Sequence, residues 1–115
     1  MDTIICSLKR RNKLLSRMKI IAGKGSFECS ELNHIYDNGV LLLDELIKSY
    51  PEMENQKNSI DLYLTASQNI LINMSNDSFF KNIECEIDEI LEDVIDEGLF
   101  ITQVINHKLD MSLFN

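Results

Sequence analysis

Glu31 and His34 stand three residues apart in the stretch ELNH, a spacing that puts a carboxylate and an imidazole on one helix face. Di-iron bundles use such pairs, but they need two of them and two further glutamates. The other histidine, His107, has Val104 three residues before it, so the ligand set is incomplete. Nucleophilic catalysis finds no support either. There is no G-x-S-x-G stretch and no cysteine with a local activating signature. GKGS at 23–26 follows a helical pattern and lacks the frame of a phosphate-binding loop.

Magnesium chemistry would rest on the acidic residues. All-α nucleotide pyrophosphatases hold the ion with E-x-x-E and E-x-x-D pairs on neighbouring helices. Glu28/Glu31 and Glu86/Glu89 have the first spacing, and no E-x-x-D pair completes the pattern. A calcium loop alternates its ligands around a central glycine, which the acidic run here does not do. The expectation is therefore a protein without catalytic residues, metal or cofactor.

The acidic run itself is the strongest chemical signal. Ile83–Gly98 reads IECEIDEILEDVIDEG, with eight carboxylates in sixteen positions and no basic residue. On a helix, Glu89, Glu92, Asp93 and Asp96 point away from the isoleucines, with Glu84, Glu86, Asp88 and Glu97 flanking. Five like-charge pairs at i, i+4 then cost about 1–2.5 kcal/mol together at low salt. If Gly98 ends the helix, Asp93, Asp96 and Glu97 also face an unfavourable helix dipole.

Charge is divided along the chain. The net charge is −8, yet residues 1–25 hold seven lysines and arginines against Asp2 alone. The basic stretch KRRNK at 9–13 could touch nucleic acid, but the overall acidity opposes binding a polyanion and no aromatic residue interleaves it. Cys6, Cys29 and Cys85 form no CxxC pair, which suits reduced thiols and a cytoplasmic setting. No run approaches the roughly 18 apolar residues of a membrane span, and no secretory signal opens the chain.

These residues must be positioned by helices. Ile4, Leu8, Leu15, Met18 and Ala22 share a face from about Thr3 to Ala22, with Lys9, Arg10, Lys13 and Arg17 opposite. A second helix runs from about Phe27 to Ser49, its stripe including Leu32, Ile35, Leu42, Leu46, Ile47 and Tyr50, with Gly39 inside it either as a point of close helix approach or as a break. SYPE at 49–52 reads as a capped start for a third helix carrying Ile60, Tyr63, Leu64, Ile70, Leu71 and Met74. A fourth helix carries Ile87, Ile90, Leu91 and Val94, and Gly98 is expected to end it. The remainder, LFITQVINHKLDMSLFN, reads as a fifth helix or a short strand. The fold expected is all-α, an antiparallel bundle of four to five helices forming a single domain over residues 1–115.

A small, acidic, helical chain without catalytic groups is expected to bind another protein. In character it resembles small acidic immunity proteins, which would make it an immunity protein or antitoxin that covers the positive surface of a basic, nuclease-type toxin. The partner-binding residues expected are Glu84, Asp88, Glu89, Glu92, Asp93 and Asp96. The alternatives are a secretion chaperone of the flagellar or type III kind, gripping its client through an apolar groove exposed by LFITQVI, and a DNA mimic. Two other accounts of the acidic run are a solvated face whose charge keeps the protein soluble and an internal match, with the basic first helix lying beside it.

Overall fold

The computed structural model describes residues 2–24, 30–50, 56–76 and 85–114. Side chains are described within these stretches except at 2, 22–24, 75, 76, 85, 86, 88 and 107–114. The described residues form four α-helices: α1 (Asp2–Lys24), α2 (Ser30–Ser49), α3 (Lys57–Asn76) and α4 (Cys85–Phe114). They contain no strand. The molecule measures 50 × 26 × 18 Å. α4 alone, at about 1.5 Å rise per residue, accounts for most of the long dimension.

The helices touch in a ring: α1 packs on α2 and α4, and α3 packs on the same two. Their apolar stripes meet in two separate clusters. Leu15, Met18, Leu32, Ile35, Leu71, Met74, Ile87, Ile90, Leu91 and Val94 build one. Ile4, Leu8, Leu42, Leu46, Ile60, Leu64, Ile101 and Ile105 build the other. The spacing in the sequence anticipated the first-helix stripe, and Lys9, Arg10, Lys13 and Arg17 are exposed as expected. Ile47 and Tyr50, which the sequence stripe placed inward, are exposed. Phe27, Ala22 and the SYPE cap at Pro51 and Glu52 lie outside the described residues or side chains.

Gly98 does not end the fourth helix, and no fifth helix or strand follows it. α4 continues to Phe114 because its buried stripe continues: Val94, Gly98, Ile101 and Ile105 follow one another at helical spacing and are all buried. That burial overrides the weaker β preference of Ile101 and Thr102. Thr102 instead returns its hydroxyl to the Gly98 carbonyl at 3.0 Å, a bond internal to the helix. Asp93, Asp96 and Glu97 consequently lie in the body of α4, far from its end, and meet no dipole penalty.

Gly39 likewise interrupts nothing. It is buried in the body of α2, and a Cβ there would come 2.6 Å from the Tyr63 hydroxyl and press on the Asn12 side chain. At Gly98 a Cβ would meet the Gln68 amide at 2.5 Å. Both glycines let α2 and α4 admit large polar side chains from α1 and α3.

Candidate functional site

Between the two apolar clusters lies a polar layer supplied by α1 and α3. Arg11 and Ser7 are 0% exposed, and Asn12, Ser67 and Gln68 are buried beside them. Arg11 reaches across the bundle diagonal. Its Nη1 donates to the Tyr63 hydroxyl at 2.7 Å, and its Nη2 donates to Ser67 Oγ at 3.0 Å and Gln68 Oε1 at 3.1 Å. Tyr63 and Gln68 extend the network to main-chain carbonyls, Tyr63 donating to Ile35 O and Gln68 Nε2 to Ile95 O. Among the described residues Arg11 Nε and both polar atoms of the Asn12 amide have no partner. Every group bonded to Arg11 is neutral, so burial depresses the affinity of the guanidinium for its proton, with the neighbouring Tyr63 partly opposing. Burial also raises the Tyr63 pKa above its ordinary value of 10.0, again opposed by Arg11.

The sequence pattern puts Arg11 in the KRRNK stretch and assigns it to neither face of α1; in the structure it is buried. The basic face of α1 therefore consists of Lys9, Arg10, Lys13 and Arg17, without Arg11.

The acidic residues of α4 divide in two. Glu97 is half-buried and turned toward α1, where Arg10 Nε donates to its Oε1 at 2.9 Å and the Ser7 hydroxyl donates to its Oε2. Glu89, Glu92, Asp93 and Asp96 are exposed. Among the described residues none of these four is held in an ion pair. Asp93 and Asp96 nevertheless line a groove of about 620 Å³ whose opposite wall carries Arg10, Lys13 and Arg17, with Leu14 and Phe100 contributing its apolar surface. The internal account of the acidic run is thus met at Glu97 and in part at Asp93 and Asp96, while Glu89 and Glu92 lie beyond it. Glu84 lies outside the described residues, as does the side chain of Asp88.

Other sequence candidates are dispersed. Among the described residues no group of three or more histidine, cysteine or acidic side chains is placed to hold a metal. Glu31 and His34 are both exposed on α2. Cys6 is a free, exposed thiol, and the side chains of Cys29 and Cys85 are outside the described set. No helix among the described residues is long and apolar enough to cross a membrane. No family model, curated protein or solved structure matches the chain.

Proposed function

We propose that this chain is a non-enzymatic protein-binding module of the cytoplasm, an immunity protein or antitoxin that covers the basic surface of a nuclease-type toxin. The observation that carries the reading is the exposure of Glu89, Glu92, Asp93 and Asp96 on α4, none of them held in an ion pair among the described residues although Asp93 and Asp96 border the groove against α1. Such a row steers a positively charged partner and raises its association rate. Rigid positioning on a 30-residue helix preserves the spacing of the carboxylates before contact. Glu84 and Asp88 belong to the same run by position. We take the helices to alternate in direction. The start of α2 and the end of α1 contribute to one core cluster, and the end of α2 and the start of α1 to the other, which supports that arrangement.

The secretion-chaperone alternative draws less support from LFITQVI, because Ile101 and Ile105 face the core and leave Leu99 and Phe100 exposed. The deciding experiment is binding to a basic nuclease domain encoded beside this chain's gene. Capture is expected at about 50 mM salt and is expected to weaken sharply at about 500 mM, where exposed charges are screened over a few ångströms. The triple variant E89K/E92K/D96K should lose capture with helix content unchanged. Binding that survives both high salt and the triple reversal overturns the reading, and competition by duplex DNA for the same partner identifies a DNA mimic instead.

A further inference from the structure

α2 and α3 pack less closely than any other neighbouring pair of helices. Between them runs a groove of about 400 Å³, within the range of roughly 300–1,000 Å³ typical of small-molecule sites. Half of its lining is apolar, from Ile35, Leu41, Leu42, Leu62, Ala66 and Ile70, and the other half is polar, with His34 and Glu45 among it. Leu41 and Leu62 are 62% and 72% exposed, more than any other large apolar residue among those described.

The groove has a polar spot in Tyr63 and Ser67, which belong to its lining. Both hydroxyls accept from the buried Arg11 guanidinium. As donors they are weakly engaged. Tyr63 donates to Ile35 O at 3.2 Å and Ser67 to Leu64 O at 3.3 Å, against roughly 2.7–2.8 Å for a good O–H···O bond. A hydroxyl that accepts from a cation becomes a stronger donor. Behind them Arg11 is fully buried and, among the described residues, has an unpartnered Nε and bonds no carboxylate. Buried charges are ordinarily paired, so this one lacks its counter-charge.

We propose that the α2–α3 groove is a binding site for a long-chain carboxylate. Its head group accepts hydrogen bonds from the Tyr63 and Ser67 hydroxyls and supplies the counter-charge to Arg11, and its hydrocarbon tail lies along Leu41, Leu42, Leu62 and Ile70. Glu45 on the lining repels the head group from its own position, and of the polar lining residues Tyr63 and Ser67 are the two bonded to the Arg11 guanidinium. The chain's net negative charge acts over distance and is screened within about 10 Å at 0.1 M salt, whereas the guanidinium acts at the site.

The test is calorimetric titration with dodecanoate and with dodecanol, both below their aggregation limits, so that tail length is fixed and only the head group changes. Saturable binding of one dodecanoate is expected, about tenfold or more tighter than dodecanol. Tyr63→Phe should remove most of that preference while leaving dodecanol binding unchanged. Leu62→Glu, at an exposed position that leaves folding intact, should abolish binding of both. Equal affinity for the two ligands, no dodecanoate binding, retention of binding by L62E, or occupancy of the groove only by an amphipathic peptide overturns the proposal.

Discussion

Arg11 and Tyr63 are joined twice across the bundle, by a 2.7 Å hydrogen bond from Nη1 to the phenol oxygen and by the guanidinium carbon lying 5.2 Å from the ring centroid. The pair connects α1 to α3, two helices whose backbones do not approach each other. Tyr63→Phe keeps the ring and removes the acceptor, leaving a buried cation with one bond fewer. A hydrogen bond to a charged group contributes about 1.5–3 kcal/mol, and a loss of that size is expected from urea unfolding midpoints. Arg11→Met, which retains an apolar stem and removes the charge, should cost less than Tyr63→Phe, since apolar replacement of buried charge is often neutral or stabilising. A larger loss from Arg11→Met would mean that the cation is well compensated in the fold.

The alkaline limb of stability should carry the signature of Tyr63. Its folded pKa is raised by burial, so the unfolded chain releases this proton first. Stability is therefore retained below pH 10.0, the unfolded value, and falls as pH rises from there toward the folded pKa. The lowered Arg11 pKa acts with the opposite sign, and only at the high end, as pH nears the ordinary range of a guanidinium. Subtracting the Tyr63→Phe ultraviolet titration from that of the parent should isolate a phenol ionising above pH 10.0. A phenol titrating at its ordinary value would show that the ring is reached by water.

Gly98→Ala and Gly39→Ala should both destabilise, although each raises intrinsic helix propensity by about 1 kcal/mol. At Gly98 the new methyl would meet the Gln68 amide at 2.5 Å, and the amide must abandon Arg11 and Ile95 O to make room. Loss of one or two buried bonds costs about 1–3 kcal/mol. At Gly39 the methyl strikes both Asn12 and Tyr63, the latter at 2.6 Å, and the loss should be the greater of the two. Thermal unfolding of the two variants checks the order, and an unchanged melting temperature for either would show that the partner side chain moves aside without loss.

Glu97 and Arg10 should respond unequally to truncation. Arg10 is 59% exposed at its side chain, and a solvent-facing ion pair contributes about 1 kcal/mol or less. Arg10→Ala is expected to fall within that limit. Glu97→Ala also removes the acceptor of the fully buried Ser7 hydroxyl, which adds a desolvation cost of about 1–3 kcal/mol. The double variant Ser7→Ala/Glu97→Ala should recover part of the loss, measured as a double-mutant cycle.

Helical periodicity alone makes most of the architecture legible. The stripes of α1 and α3 and the first half of α4 have the spacing that burial confirms. The polar layer was missed, although its signal stands in the gaps between apolar residues. Leu8 and Leu15 flank Arg11 and Asn12, Leu64 and Leu71 flank Ser67 and Gln68, Ile35 and Leu42 flank Gly39, and Val94 and Ile101 flank Gly98. Each helix thus interrupts its own stripe once, and the four interruptions meet. Gly98 was misread because a glycine between apolar runs has the same local signature at a helix end and at a close contact; only the facing Gln68 distinguishes them. In the acidic run, periodicity separated inward from outward residues but carried no sign that Glu97 would turn to Ser7 and Arg10. That pairing depends on which helix lies alongside, and no local pattern encodes it.

The unbroken apolar stripe of an ordinary bundle permits one helix to slide past another by a turn, about 5.4 Å, with little change in what it buries. Here such a slide would carry the Arg11 guanidinium into an oily cluster and draw Gln68 off the notch at Gly98. The interior polar belt therefore acts as a vernier, fixing the axial setting of all four rods at once.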